Sequence, residues 1–118
     1  MRSDINLYPM FRRIKNEELQ LTRHLLGLVN DRRASESLPE FIEEMNDGGM
    51  GSIQFGDRSG RAFGRDIVQV KYIDSDNVPV LITLIDDNVG ELFELEFWKV
   101  DNNRLINYPV PKQVTIEQ

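Results

Sequence analysis

The sequence predicts an α+β domain, one N-terminal helix packed on an antiparallel β-meander of about five strands. Three observations point there. Apolar residues recur at helical spacing over residues 17–29. From residue 53 onward the apolar residues alternate or form short runs of strand length. The breaks between those runs are short clusters of Asp, Asn, Ser and Gly, too brief to hold a crossover helix, so successive strands pair antiparallel.

The helix opens with Asn16 as its N-cap and with Glu17 and Glu18 in the first turn, where the helix dipole favours acids. Leu21, Leu25, Leu26, Leu28 and Val29 fall on one side, with Gln20, Arg23 and Gly27 opposite. Asn30-Asp31 can end it, and DRRASE (31–36) reads as a polar loop. The next segment, SLPEFIEEM, permits two structures. Ser37 and Glu40 make a capping box for a short helix with Leu38, Phe41, Ile42 and Met45 on one face. Equally, Asn46-Asp47-Gly48-Gly49 is hairpin chemistry, and both of its flanks can pair as strands. The hairpin is slightly preferred, with Ile53–Gln54–Phe55 as its second arm.

DIVQVKYID then alternates, with Val68, Val70 and Tyr72 against Gln69 and Lys71. Asp74-Ser75-Asp76-Asn77 supplies a turn. VPVLITLI is apolar on both faces, as expected of a central strand at 78–85, with Pro79 near its start. Asp86-Asp87-Asn88 and Gly90 make the next turn. ELFELEFWKV alternates again, placing Glu94, Glu96 and Trp98 opposite Phe93, Leu95 and Phe97. The tail, YPVPKQVTIEQ, carries two prolines and is expected to wrap the surface.

The 118 residues suit a single domain spanning 1–118. An apolar fraction of 40% and a charged fraction of 29% belong to a globular chain, not a disordered one. With no cysteine, the sequence excludes disulfides, thiolate nucleophiles and sulfur-bound metals. MRSDINLYPMFRRIK places charges where a signal peptide needs an apolar run, and no window approaches the roughly 18 apolar residues of a membrane span. A cytoplasmic location away from membranes is the expectation.

The net charge is −6, and it is unevenly spread. Residues 1–33 hold seven basic and four acidic side chains, whereas residues 34–118 hold seven and sixteen. Such an acidic body repels nucleic acid and favours a basic protein partner, although charge of this size also serves solubility alone.

Each candidate site competes with a plainer explanation. GGMGS, Gly48 to Ser52, has no following helix and no lysine, which a phosphate loop needs, so its glycines belong to a turn. His24 is a lone imidazole at the edge of the helix stripe, without a second histidine for a metal pair. Asp74 and Asp76 begin like a calcium loop but lack its glycine and terminal glutamate. Neither a metal nor a cofactor is expected. Glu94 and Glu96 sit two apart on one strand face beside Trp98, roughly 6–7 Å from each other. Paired carboxylates beside an aromatic could serve a glycosidase, but only in a deep sugar cleft that a small domain rarely offers. A solvated sheet face explains the glutamates equally well, and an exposed Trp among acids also suits an interface core.

DGGMGSIQF, the DSDNVPVLITL turn and strand, and GELFELEFWKVDNNRLINYP closely resemble a family of small bacterial proteins known only as a domain of unknown function. The resemblance spans most of residues 12–109. The family's segments are a DGGMGS turn, an acidic turn before a strand, and an ELDxWK-like strand followed by a leucine and a proline; Glu96 stands here at the aspartate position. The resemblance implies no activity, since the family has no established reaction.

Two functions remain. The first is a non-enzymatic acidic binding protein, most concretely an immunity protein neutralising a basic bacterial toxin domain. Glu94, Glu96 and Trp98 would form its surface, with Asp86, Asp87 and Asp101 at the strand ends. The alternative is a small enzyme of unknown reaction using Glu94, Glu96, Asp101 or His24, against which the missing nucleophile–base pair counts.

Overall fold

The structure, a computed structural model, describes residues 11–117. The stretch 1–10, expected to carry no leader, lies outside the described residues. The elements are β1 (Phe11–Arg13), α1 (Asn16–Leu28), a 3-10 turn (Arg32–Ser35), β2 (Phe41–Glu44), β3 (Ile53–Phe55), β4 (Phe63–Ile73), β5 (Pro79–Asp87), β6 (Leu92–Lys99), a second 3-10 turn (Pro111–Gln113) and β7 (Thr115–Ile116). The strands form one sheet in the order β1-β2-β3-β6-β5-β4-β7, and every pairing is antiparallel. The class is α+β, with seven strands instead of about five. The additional strands are β1 and β7 at the two edges, three and two residues long, too short to show a period. β7 arises from the tail expected to wrap the surface, and it pairs with β4 at Val70 and Lys71.

The helix begins one residue earlier than its expected cap implies. Lys15, not Asn16, is the N-cap, and Lys15 cannot accept a hydrogen bond through its side chain. Glu18 supplies the carboxylate instead, accepting from the Lys15 backbone N–H at 2.8 Å and from both terminal nitrogens of Arg12. Arg12 also donates to Glu44 on β2 at 2.6 Å. One guanidinium therefore ties the helix start to the sheet edge. At the other end, Asn30 adopts a left-handed φ of 56° and closes the helix as expected.

Residues 41–44 are strand. Pairing decides it, because β2 lies between β1 and β3 with Ile42 wholly buried beneath the helix layer. The glycine-rich connection is a loop organised by Asp47, whose two carboxylate oxygens accept the N–H groups of Met50 and Ser52. Gly48 and Gly49 have φ of 76° and 83°, so the glycines there serve the turn.

Two antiparallel triplets, β1-β2-β3 and β4-β5-β6, make the sheet, and β6 returns to pair with β3. It is thus not one continuous meander. The segment 56–62 carries the chain across the width of β6 and β5, about 14 Å, well within the reach of seven residues. β5 is interior, as its two-faced apolarity requires, while the middle place by count belongs to β6. Val80, Ile82 and Leu84 of β5 are wholly buried against Leu21, Leu25 and Leu26 of α1, with Val70, Tyr72, Leu95 and Phe97 around them. Leu28 packs at the margin of this core and Val29 is exposed. The helix covers only this face of the sheet.

Candidate partner-binding face

The opposite, outer face of the sheet is built from the other half of each alternation. On β5 it carries Leu81, Thr83 and Ile85; on β6, Glu94, Glu96 and Trp98. The register sets Trp98 beside Leu81, Glu96 beside Thr83 and Glu94 beside Ile85. Lys71 of β4 lies on the far side of Leu81. A register irregularity between Ile85 and Asp86 breaks the alternation of β6 near Phe93.

One end of this face is covered and the other is open. Over Phe93 lie two guanidinium groups from the 56–62 segment, Arg58 at 5.1 Å and Arg61 at 4.8 Å from the ring centroid. Arg58 also donates to Glu94 at 2.6 Å. Phe93 and Glu94 are buried beneath these contacts, and Ile85 beside Glu94 is buried as well. Further along β6, Glu96 is exposed and makes no hydrogen bond or ion pair among the described residues. Partial burial, then the charges of Glu94, Asp66 and Asp47, shift its carboxyl upward. Trp98 is 46% exposed, and its indole N–H donates to Asn102 Oδ1 at 3.1 Å. Ile73 and Val100 are exposed at the same end.

The other anticipated acids stand elsewhere. Asp86 and Asp87 were expected at exposed strand ends; they lie within β5 and are 1% and 3% exposed. Asp86 is paired with Arg33 at 2.9 Å and Arg65 at 3.1 Å. Asp87 takes Arg61 on one oxygen and the N–H groups of Val89 and Glu91 on the other. They are structural anchors for arginines that cross the end of the sheet. Asp101 is exposed but turned upon Asn103, which donates to it through both backbone and side chain. Glu94, expected to project freely, is covered by Arg58.

His24 sits half-buried on α1, on the opposite side of the sheet from Glu94 and Glu96. The four residues of the enzymatic alternative are therefore not gathered in one place. A cleft of about 490 Å³ does open on the core side, lined by Arg33, Leu38, Phe55, Arg61, Glu91 and Leu92 among others. Its two arginines are committed to Asp31, Asp86, Asp87 and backbone carbonyls, so it reads as a seam closed by structural ion pairs.

Sequence reasoning missed the residue that organises the open end. Lys99 is wholly buried. Its ammonium donates to Asp74 at 2.9 Å, to Asp76 at 2.8 Å and to the Arg104 carbonyl at 3.1 Å, using all three of its donors. Asp74 in turn accepts the N–H groups of Ser75, Ile106 and Asn107. The Asp74 and Asp76 that mimic half a calcium loop are the counter-charges of this lysine. The glycine loop joins the same node, for Lys99 N–H approaches Met50 Sδ and Leu105 N–H donates to the Gly49 carbonyl. Ser52 Oγ bridges the backbone of Phe97. A lysine at an inward position of an alternating strand was the available signal.

Among the described residues no group of three His, Asp or Glu side chains is placed to hold a metal ion, and no helix is long and apolar enough to cross a membrane. Fold and face together define an α+β domain whose sheet is covered by a helix on one side and presents an acidic, tryptophan-bearing end on the other. The chain belongs to the family described as domain of unknown function DUF6984, which it matches over residues 11–109. No curated protein and no solved structure matches it. The segments that mark the resemblance, DGGMGS, DSDN and FWK, are those that meet at Lys99.

Proposed function

We propose that this chain is a non-enzymatic binding protein that captures a basic protein through the open end of its outer sheet face. The observation that carries this is Trp98, half-exposed on a regular strand beside a carboxylate, Glu96, that is unpaired among the described residues. A large aromatic held on a rigid element costs little entropy to engage, and such residues anchor interfaces. Acidic surroundings add long-range attraction for a cationic partner and speed its capture. The most concrete form of this function is an immunity protein, cytoplasmic, occupying a basic bacterial toxin domain.

The test is capture of partners from the native cell on immobilised chain, with wild type, Trp98→Ala and Glu96→Lys run in parallel. A basic protein retained by wild type, lost from both variants and released by raised salt supports the proposal. A partner retained equally by all three contradicts it. Glu94→Lys is a poor probe, because a lysine there would face Arg58 and disturb the fold.

A further inference from the structure

Strand β6 carries two aromatic–carboxylate pairs on its outer face, and the chain itself fills one of them. At Phe93 and Glu94 the occupant is Arg58, whose guanidinium lies over the ring at 5.1 Å while one nitrogen binds the carboxylate at 2.6 Å. At Glu96 and Trp98 the same two chemistries recur, and among the described residues no cation lies over the Trp98 ring or on the Glu96 carboxylate. Resting on the reading of this face as a partner surface, we propose that Glu96 and Trp98 form a receptor for one arginine side chain of the partner.

Three features favour arginine over lysine. Every cation lying over a ring among the described residues is an arginine: Arg13 over Phe41, and Arg58 and Arg61 over Phe93. A planar guanidinium can stack on a ring and still direct a nitrogen sideways to a carboxylate, which a compact ammonium does less well. The two residues lie two apart on a strand, a spacing of roughly 6–7 Å that one guanidinium can bridge. The receptor is also preorganised. Trp98 is tethered by its indole N–H to Asn102, which adopts a left-handed φ of 64° and donates its own N–H to the Lys99 carbonyl. The neighbouring Gln69 amide is occupied by Thr83, and Lys71, two strands away, makes no ion pair among the described residues. Glu96 is thus left unclaimed among the described residues. Asp66 and Asp47 add negative charge around it.

The experiment titrates the ¹⁵N-labelled chain at low salt with acetylated, amidated tri-arginine and, separately, tri-lysine, following the Trp98 indole resonance and the backbone of β6. The expected result is a shift centred on Trp98 and Glu96 that saturates at roughly threefold lower concentration for tri-arginine. Glu96→Gln should remove most of that preference, and Trp98→Phe should retain it more weakly. Equal binding of both peptides at Trp98 overturns the arginine receptor while leaving the acidic face intact as a basic-partner surface. Absence of any shift at Trp98 with either peptide, or shifts confined to another surface, overturns both.

Discussion

Lys99 Nζ lies 2.9 Å from Asp74 Oδ2, and neither side chain has measurable exposure. The pair joins the end of β6 to the β4–β5 turn, and through Ile106 and Asn107 it also holds the segment that follows Trp98. A buried ion pair is weak evidence for net stability, but breaking one is costly because the remaining charge is stranded. Asp74→Ala should therefore destabilise the fold by about 3 kcal/mol or more, measured by urea unfolding. It should also increase hydrogen exchange at Ile106 and Asn107 before it does so in the core. A near-neutral Asp74→Ala would show that the node does not hold this segment.

The same pair sets a pH dependence. Burial opposes the charge on Asp74, but the N–H groups of Ile106, Asn107 and Ser75 and the Lys99 ammonium outweigh it and hold the carboxyl well below its ordinary range. Its contribution is present above the unfolded value of about 4 and is lost as pH falls through the depressed folded value. Asp31, hydrogen-bonded by the Arg33 side chain, adds to this acid limb with a value lowered to about 2. For Lys99 burial disfavours the charge, and Asp76 and Asp74 overcome it and raise the group. Its contribution is complete below the unfolded value of about 10.5 and is lost as pH rises through the folded one. The urea midpoint should be flat near neutrality and fall on both sides, and Asp74→Asn should shrink the acid limb. An unchanged acid limb in that variant would contradict the assignment.

Gly64 lies so close to β5 that a Cβ there would stand 2.0 Å from the Asp87 carbonyl oxygen. Gly64→Ala must push the strands apart where Arg61 meets Asp87, and should cost at least about 2 kcal/mol in thermal or urea unfolding. Full stability would show that the strands separate freely at this point.

In the glycine loop, Gly49→Val forces a branched side chain into a left-handed backbone and against Arg104, 3.2 Å from the Cβ position. Gly48→Val meets open space but carries the same backbone strain, with φ +76°. Each should cost about 1 kcal/mol, with Gly49→Val the worse. Saturable nucleotide binding abolished by either change would return this loop to phosphate chemistry.

What the sequence made legible follows from period. The helix stripe, the inward faces of β4, β5 and β6 and the outward position of Trp98 all come from repeats of 3.6 or 2 residues long enough to read. β1 and β7 have no room for a period and exist through pairing alone. The joining of β6 to β3 depends on where the 56–62 segment lands, which Arg58 and Arg61 decide through Phe93. Asp86 and Asp87 resembled turn residues because short acids between apolar and polar runs usually are. Their burial depends on arginines 53 and 26 positions away in sequence. Ten of the fourteen basic residues are arginine, which was the trace of that pairing, since buried carboxylates favour the guanidinium fork. Lys99 was visible as an inward position but not as a node, because its partners come from three other segments.

Trp98 is the only tryptophan in the chain, so its fluorescence reports the proposed face without a partner being known. The most direct measurement compares quenching of that emission by caesium and by iodide at matched low ionic strength. An indole half-exposed beside Glu96, in an acidic field, should be quenched more efficiently by the cation than the anion once each quencher's intrinsic efficiency is corrected with free tryptophan amide. Glu96→Lys should narrow or reverse the difference. Equal quenching by both ions, or a preference for iodide in the wild type, would contradict an open, cation-seeking surface at Trp98.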